Sequence, residues 1–227
     1  MKKPVKVVLI ILASLLVIAG AFLVYVLIDT APLKDVSHLQ TEVDAMNPQT
    51  VSVEGVKLLT QPDGFTCGET TICVTASFCG QKEITPQELI TQYQTKGSMN
   101  PARFVEILSQ ELPGYTVTYR HNLNDAELLQ GIHDQLQQGI PVPVFFGAPN
   151  PFNKPYYDFH ASVVTGLDLA GQQVTIANVY GYEEKISLTD FINRMSYRGT
   201  GNYPFVQKAV LKLGMMDKNT YIMMEKK

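Results

Sequence analysis

Residues 61–80 read QPDGFTCGETTICVTASFCG, and the fold and the chemistry of the chain both turn on this stretch. Thr66-Cys67-Gly68-Glu69 has the form of a capping box, with Thr66 as N-cap and Glu69 at N3, so a helix is expected to begin at Cys67. A thiol there faces unbonded backbone amides and the positive end of the helix dipole. Both favour thiolate, the form that attacks a carbonyl. No charge occurs from residue 70 to 81, while Ile72, Cys73, Val74, Ala76, Phe78 and Cys79 put apolar groups on nearly every side. Such a helix is expected to be buried. Cys73 and Cys79 therefore read as core thiols. Cys67 follows a Pro-Asp-Gly turn at the polar mouth of the helix, and its position alone suits packing and nucleophilic chemistry equally. The three cysteines stand six residues apart, about 9 Å along a helix, too far for a disulfide among them.

Two later stretches supply partners for Cys67. His160 opens an expected strand in which His160, Ser162 and Val164 share one face and Ala161, Val163 and Thr165 the other. Residues 166–172 can turn the chain, and 173–179 return as an alternating strand bearing Asn178. If these strands pair as a hairpin, Asn178 comes within a position or two of His160, close enough for its amide oxygen to orient the imidazole. Alone, His160 would read as a hydrogen-bonded histidine at a strand end. Beside Cys67 and Asn178 it reads as a general base.

Gln61 six residues before Cys67, then Cys-Gly, a glutamate and two threonines leading into an apolar helix that ends at Gly80, resemble the peptidase C39-like branch of the papain-like cysteine peptidases. Gly139-Ile140-Pro141-Val142-Pro143-Val144 is similar to that family's Gly-x-Pro strand, and residues 160–166 to its His strand, in the same order and spacing. The likeness covers residues 61–213. It implies an α+β papain-like fold, with the Cys helix packed on an antiparallel sheet, and hydrolysis of a peptide or protein substrate. By the same likeness Cys67 is the nucleophile, His160 the general base and acid, Asn178 the orienter, and Gln61 with the Cys67 backbone amide the oxyanion hole. Asn178-Val179 stands where the family commonly has Asp-Pro. The same residues would serve acyl transfer or hydrolysis of a non-peptide amide. A catalytically silent domain that binds peptides or a partner protein is the reading from a different class.

The remaining sequence places this domain. Lys2, Lys3 and Lys6 precede residues 7–28, a run of 22 without a charge, which is the length of a bilayer span. A signal peptide cleaved at Ala19-Gly20-Ala21 is the alternative. With the lysines inside, the domain faces out of the cell. The expected organisation is a stub and anchor at 1–28, a linker with a short helix at 29–50, and one domain at 51–227. A net charge of −3 with scattered basic residues gives no nucleic-acid footprint, and no close-spaced ligand set implies a metal or other cofactor. Strands are expected at 51–59, 115–120, 140–146, 205–213 and 219–225, and helices from Pro86, from Pro101, over 124–138 and over 187–195. Prolines argue that 140–146 lies at a sheet edge or strand end. Residues 148–157 form a loop that either shapes a substrate cleft or merely connects. His38, in the linker, and His121 and His133 read as surface histidines.

Overall fold

The computed structural model describes residues 3–28, 32–95, 97, 99–151 and 156–227. In chain order it contains α1 (Lys3–Leu27), α2 (Gln40–Ala45), β1 (Thr50–Ser52), α3 (Cys67–Gly80), α4 (Pro86–Tyr93), α5 (Pro101–Glu111) and β2 (Tyr115–Arg120). There follow α6 (Asp125–Gln137), β3 (Val142–Pro149), β4 (Tyr157–Asp168), β5 (Gln173–Asn178), β6 (Tyr182–Ser187), α7 (Leu188–Met195), α8 (Phe205–Lys212) and β7 (Thr220–Lys226). The strands pair antiparallel in the order β2-β7-β3-β4-β5-β6, and β1 adds to the far end of β4, where Thr50 faces Asp168.

Strand alternation divides the core between two faces of this sheet. On one, Ile72 and Cys73 of α3 and Phe104 and Ile107 of α5 pack on Phe145, Ala161, Ile222 and Met224. On the other, Leu128 and Ile132 of α6 and Phe191 of α7 pack on Val144, Phe146, Val164 and Ile176. Phe104 meets Phe145 edge to face at 5.2 Å, so Phe104→Ala should cost about 3–5 kcal/mol. The result is the α+β arrangement expected, with the Cys helix on an antiparallel sheet.

Several expectations change. Residues 205–213 form a helix, not a strand. Their apolar positions satisfy a period of two and of 3.6 alike; Pro204 starts the helix, Leu211 buries one side of it, and Gly214, at φ +66°, ends it. The strand expected over 51–59 is only Thr50–Ser52, because Gly55 at φ +80° turns the chain off β4; Thr60 rejoins the sheet beside Tyr180. β3 is an interior strand. It tolerates Pro143 because its pairing with β7 is confined to Val144 and Phe145, between the prolines. His133 is buried, bonded to the Pro48 carbonyl at 2.9 Å, and so is no surface histidine. His121 and His38 are exposed, and His38 meets Asp125. The stretch expected as a linker carries α2, and Val36, Leu39, Val43 and Met46 are buried in the α6 core; residues 29–31 of it lie outside the described residues. So do residues 152–155 of the loop before β4.

Candidate active site

The mouth of α3 begins at Cys67, but not with the expected capping box. Asp63 closes the preceding turn, accepting the Phe65 amide at 2.7 Å on its side chain and the Gln61 Nε2 on its carbonyl. This turn delivers Thr66 at φ −98°, ψ 25°, instead of the extended backbone an N-cap uses, and its side chain makes no capping bond. The Thr66 hydroxyl and the Glu69 carboxylate are buried with no hydrogen-bond partner among the described residues. The backbone amides of Cys67 and Gly68, with the Ala161 amide from β4, each favour charge on the Cys67 sulfur.

Those donors do not make a resting thiolate. Burial pushes the Cys67 thiol up to about 11, the nearby charge of Glu69 adds to the rise, and the amides offset only part of it. The expectation that the helix mouth favours thiolate is overturned: desolvation outweighs the dipole and the amides. Cys73 and Cys79 are likewise raised by burial, and all three cysteines are free.

His160 is buried on β4, its ring stacked on Tyr180 at 4.2 Å and tilted against Phe146 at 5.8 Å. The hairpin register that pairs Val163 with Ala177 brings Asn178 to it, as expected, and His160 Nε2 donates to Asn178 Oδ1 at 3.1 Å. Because Nε2 carries the proton of that bond, Nδ1 is the basic nitrogen of the neutral ring. Desolvation lowers the His160 pKa to about 4, against the Asn178 bond and the charge of Asp158, which raise it. The Ala161 amide, one residue along β4, favours the charged form of the sulfur, and no hydrogen bond between the sulfur and the imidazole is found among the described residues. The resting site therefore holds a neutral thiol at the start of α3 and a neutral imidazole on β4.

Three residues that the sequence reading missed hold Asn178. The Tyr180 amide donates to Asn178 Oδ1 at 3.0 Å, and Asn178 Nδ2 donates to Glu184 Oε2 at 2.8 Å. Glu184 Oε1 in turn accepts from Arg194, which also grips Asp190. A carboxylate only accepts, so Glu184 fixes which end of the Asn178 amide faces it and turns the oxygen toward His160. Residues 182–187 are mostly polar, with only Tyr182 and Ile186 to mark a strand, and it is the pairing with β5 that sets Glu184 opposite Ile176.

Gln61 is buried beside this group. Its amide nitrogen donates to the Val179 carbonyl at 2.7 Å, and one of its two side-chain N–H groups is spent on Asp63. Cys67 lines a cleft of about 460 Å³ whose walls include Phe65 and Gly68, Met99 and Pro101, Asp158 and Phe159 of β4, and Gln207, Met215 and Met216. Among the described residues no group of three or more His, Cys, Asp or Glu is placed to hold a metal.

A helix that opens on a cysteine and packs on an antiparallel sheet bearing a bonded histidine–asparagine pair has the fold of the papain-like cysteine peptidases. Within it, the profile of the Peptidase_C39 like family matches residues 53–205, and the chain belongs to that family. The fold is similar to the peptidase domain of Streptococcus ComA, a bi-functional ABC transporter involved in a quorum-sensing pathway. Identity is 16%, coverage 76% of this chain and 100% of that domain, and the TM-score 0.50. A double glycine motif protease from an AMS/PCAT transporter, solved in complex with the leader peptide, gives 12% identity, 78% and 99% coverage and a TM-score of 0.49. No curated protein matches the sequence.

Proposed function

We propose that this chain is a cysteine peptidase that acts outside the cell, held to the membrane by α1. The observation that carries the proposal is a thiol in a cleft, at an uncapped helix mouth packed on the strand that bears a histidine bonded to Asn178. In the reaction the Cys67 S–H passes its proton to His160 Nδ1 as sulfur attacks the peptide carbonyl carbon. The amides at the sulfur and the second N–H of Gln61 receive the developing oxyanion. The C–N bond breaks, the imidazolium protonates the leaving amine, and a thioester remains. Water, deprotonated by His160, then attacks the thioester, releases the acid and restores the thiol. Because the resting pair is neutral, the proton moves when substrate arrives and not before.

Within the described residues, α1 contains one segment, Ile10–Leu27, long and apolar enough to cross a bilayer. We assign residues 1–28 to a cytoplasmic stub and anchor and the packed domain to the outer side, on the basis of Lys2, Lys3 and Lys6 ahead of the span. A second reading has an observation of its own. The high thiol pKa and the missing sulfur–imidazole bond suit a domain that binds peptides without cutting them.

One experiment separates the two. The reduced full chain, in detergent, is incubated with a peptide library and with a peptidyl chloromethyl ketone, and products are read by mass spectrometry. Cleavage that Cys67→Ala abolishes and His160→Ala nearly abolishes supports the peptidase. A folded chain that cleaves nothing, and whose labelling is no faster than that of Cys67→Ser at the remaining cysteines, leaves the binding domain.

A further inference from the structure

The outer end of α1 is fastened to α8. Tyr25 Oη donates to the Lys212 carbonyl at 3.0 Å, Lys212 Nζ donates to the Ile28 carbonyl, and the same ammonium stands 5.6 Å from the centre of the Tyr25 ring. Val26, alone among the apolar residues of that end, is buried. Tyrosine and lysine at the end of an apolar helix mark the level of lipid headgroups, where an aromatic ring and a snorkelling ammonium are both at home. A bilayer crossed by α1 therefore has α8 at its surface.

The outward face of α8 suits that position and not water. Val206, Val210 and Leu213, spaced four and three, share one side of the helix, with Val210 half-buried between two exposed residues, while Leu211 on the other side carries the helix's own packing. Val206 is 71% exposed and Leu213 56%, and Met215 just beyond them is 70% exposed. Single exposed apolar residues need no explanation, but a stripe of them beside the end of a membrane span does. Lys208 and Lys212 on the same helix supply the basic component of an interfacial helix. The segment also walls the cleft: Gln207, Met215 and Met216 face the space that Cys67 lines.

We infer that α8 and the methionine turn after it rest in the headgroup region of the bilayer that α1 spans, so that the Cys67 cleft opens along the membrane surface and takes polypeptides held there, such as segments leaving the bilayer or peptides adsorbed on it. This inference rests on the anchored reading of α1, and its first test does not depend on catalysis. The opposite end of the domain is the hairpin after β4, about 30 Å from Phe159 at 3.3 Å per strand residue; the exposed Ala170 sits there.

The chain has no tryptophan, so a single introduced one reports depth without background. Full chains carrying Val206→Trp or Ala170→Trp are reconstituted into phosphatidylcholine vesicles with and without brominated acyl chains. Brominated lipid should quench the tryptophan at 206 at least about twofold, as a buried interfacial face requires, and leave that at 170 unchanged. Chains that float with the vesicles while both tryptophans stay unquenched overturn the docking of α8 and leave the anchor intact. Chains that do not float overturn the anchor, and this inference with it. If the chain is a peptidase, Val206→Glu should slow labelling of Cys67 by a palmitoylated peptidyl chloromethyl ketone on the vesicles several-fold. The unacylated probe should be unaffected; equal slowing of both would show damage to the cleft and overturn the surface-substrate assignment.

Discussion

Thr66-Cys67-Gly68-Glu69 and Thr85-Pro86-Gln87-Glu88 carry the same capping signature, and the molecule uses only one of them as a cap. At α4, Thr85 lies extended at ψ 154°, its side chain accepts the Glu88 amide, and Glu88 reaches back to the Thr85 amide. Asn124 and Glu127 form the same reciprocal box at α6. At α3 the turn held by Asp63 sets Thr66 at ψ 25°, and both side chains of the box go unbonded. A missing cap costs about 1 kcal/mol, which α3 recovers by burying its whole first half against β4 and α5. A box would have taken the Glu69 and Thr66 amides, whereas the amides that favour charge on the Cys67 sulfur are those of Cys67, Gly68 and Ala161. The same four-residue signature is thus broken at α3 and obeyed at α4, a local conflict of the kind that functional sites tolerate.

The largest effect that would break this comparison is the pH dependence of thiol labelling. With its pKa held near 11 by burial, Cys67 is a thiolate in only a small fraction at neutral pH. The rate of alkylation by iodoacetamide without substrate should therefore climb about tenfold per pH unit from 7 to 10. A plateau reached below pH 7 would mean that the open amides and a charged imidazole already hold a thiolate. The charge of Glu69 raises this thiol, so removing the anion stabilises the thiolate and lowers the pKa. Glu69→Gln should move the whole alkylation curve toward lower pH and speed labelling at pH 8 a few-fold.

The next effect lies across the cleft, where order comes from β6 in place of a cap. Glu184→Gln keeps the size and an acceptor oxygen but adds a donor, so the Asn178 amide is no longer forced to turn its oxygen toward His160. The turnover number should fall about 10-fold with KM nearly unchanged, since the loss concerns orienting the base. Glu184→Ala also takes one of two carboxylate partners from the buried Arg194, leaving it Asp190 alone, and should lower stability as well as turnover. A Glu184→Gln enzyme with unchanged turnover and an unchanged pH profile would reduce Glu184 to a structural partner of Arg194.

The hairpin that joins Asn178 to His160 and the starts of α4, α5 and α6 were legible because each rests on neighbours in sequence or on strand arithmetic; α3 starts where expected, at Cys67, but without the box that was expected to start it. What was not legible depended on tertiary company. Residues 205–213 fit two periods, and packing beside α1 decided for helix. Pro143 sits in an interior strand because pairing with β7 skips it, a fact of register and not of composition. The thiolate expectation failed on the balance of two real effects: the dipole and amides were read correctly, and the desolvation that outweighs them exists only once β4 and α5 close over the helix mouth. Glu184 was passed over because β6 is short and polar, with little apolar signal to mark it as a strand.

The smallest effect is also the most direct comparison of the two boxes. Thr85→Ala removes a hydroxyl that accepts the Glu88 amide, and should lower the stability of the full chain by about 1 kcal/mol, read from urea unfolding of the domain, without touching labelling of Cys67. Thr66→Ala removes a hydroxyl with no bond to lose among the described residues, while the Thr66 carbonyl, which accepts from both the Thr70 amide and the Thr70 hydroxyl, is retained. Its stability should therefore change by no more than a few tenths of a kcal/mol, because a buried hydroxyl without a partner contributes nothing that its removal could forfeit. Equal losses in the two variants would mean that Thr66 caps α3 in solution, and the contrast between the two boxes would be gone.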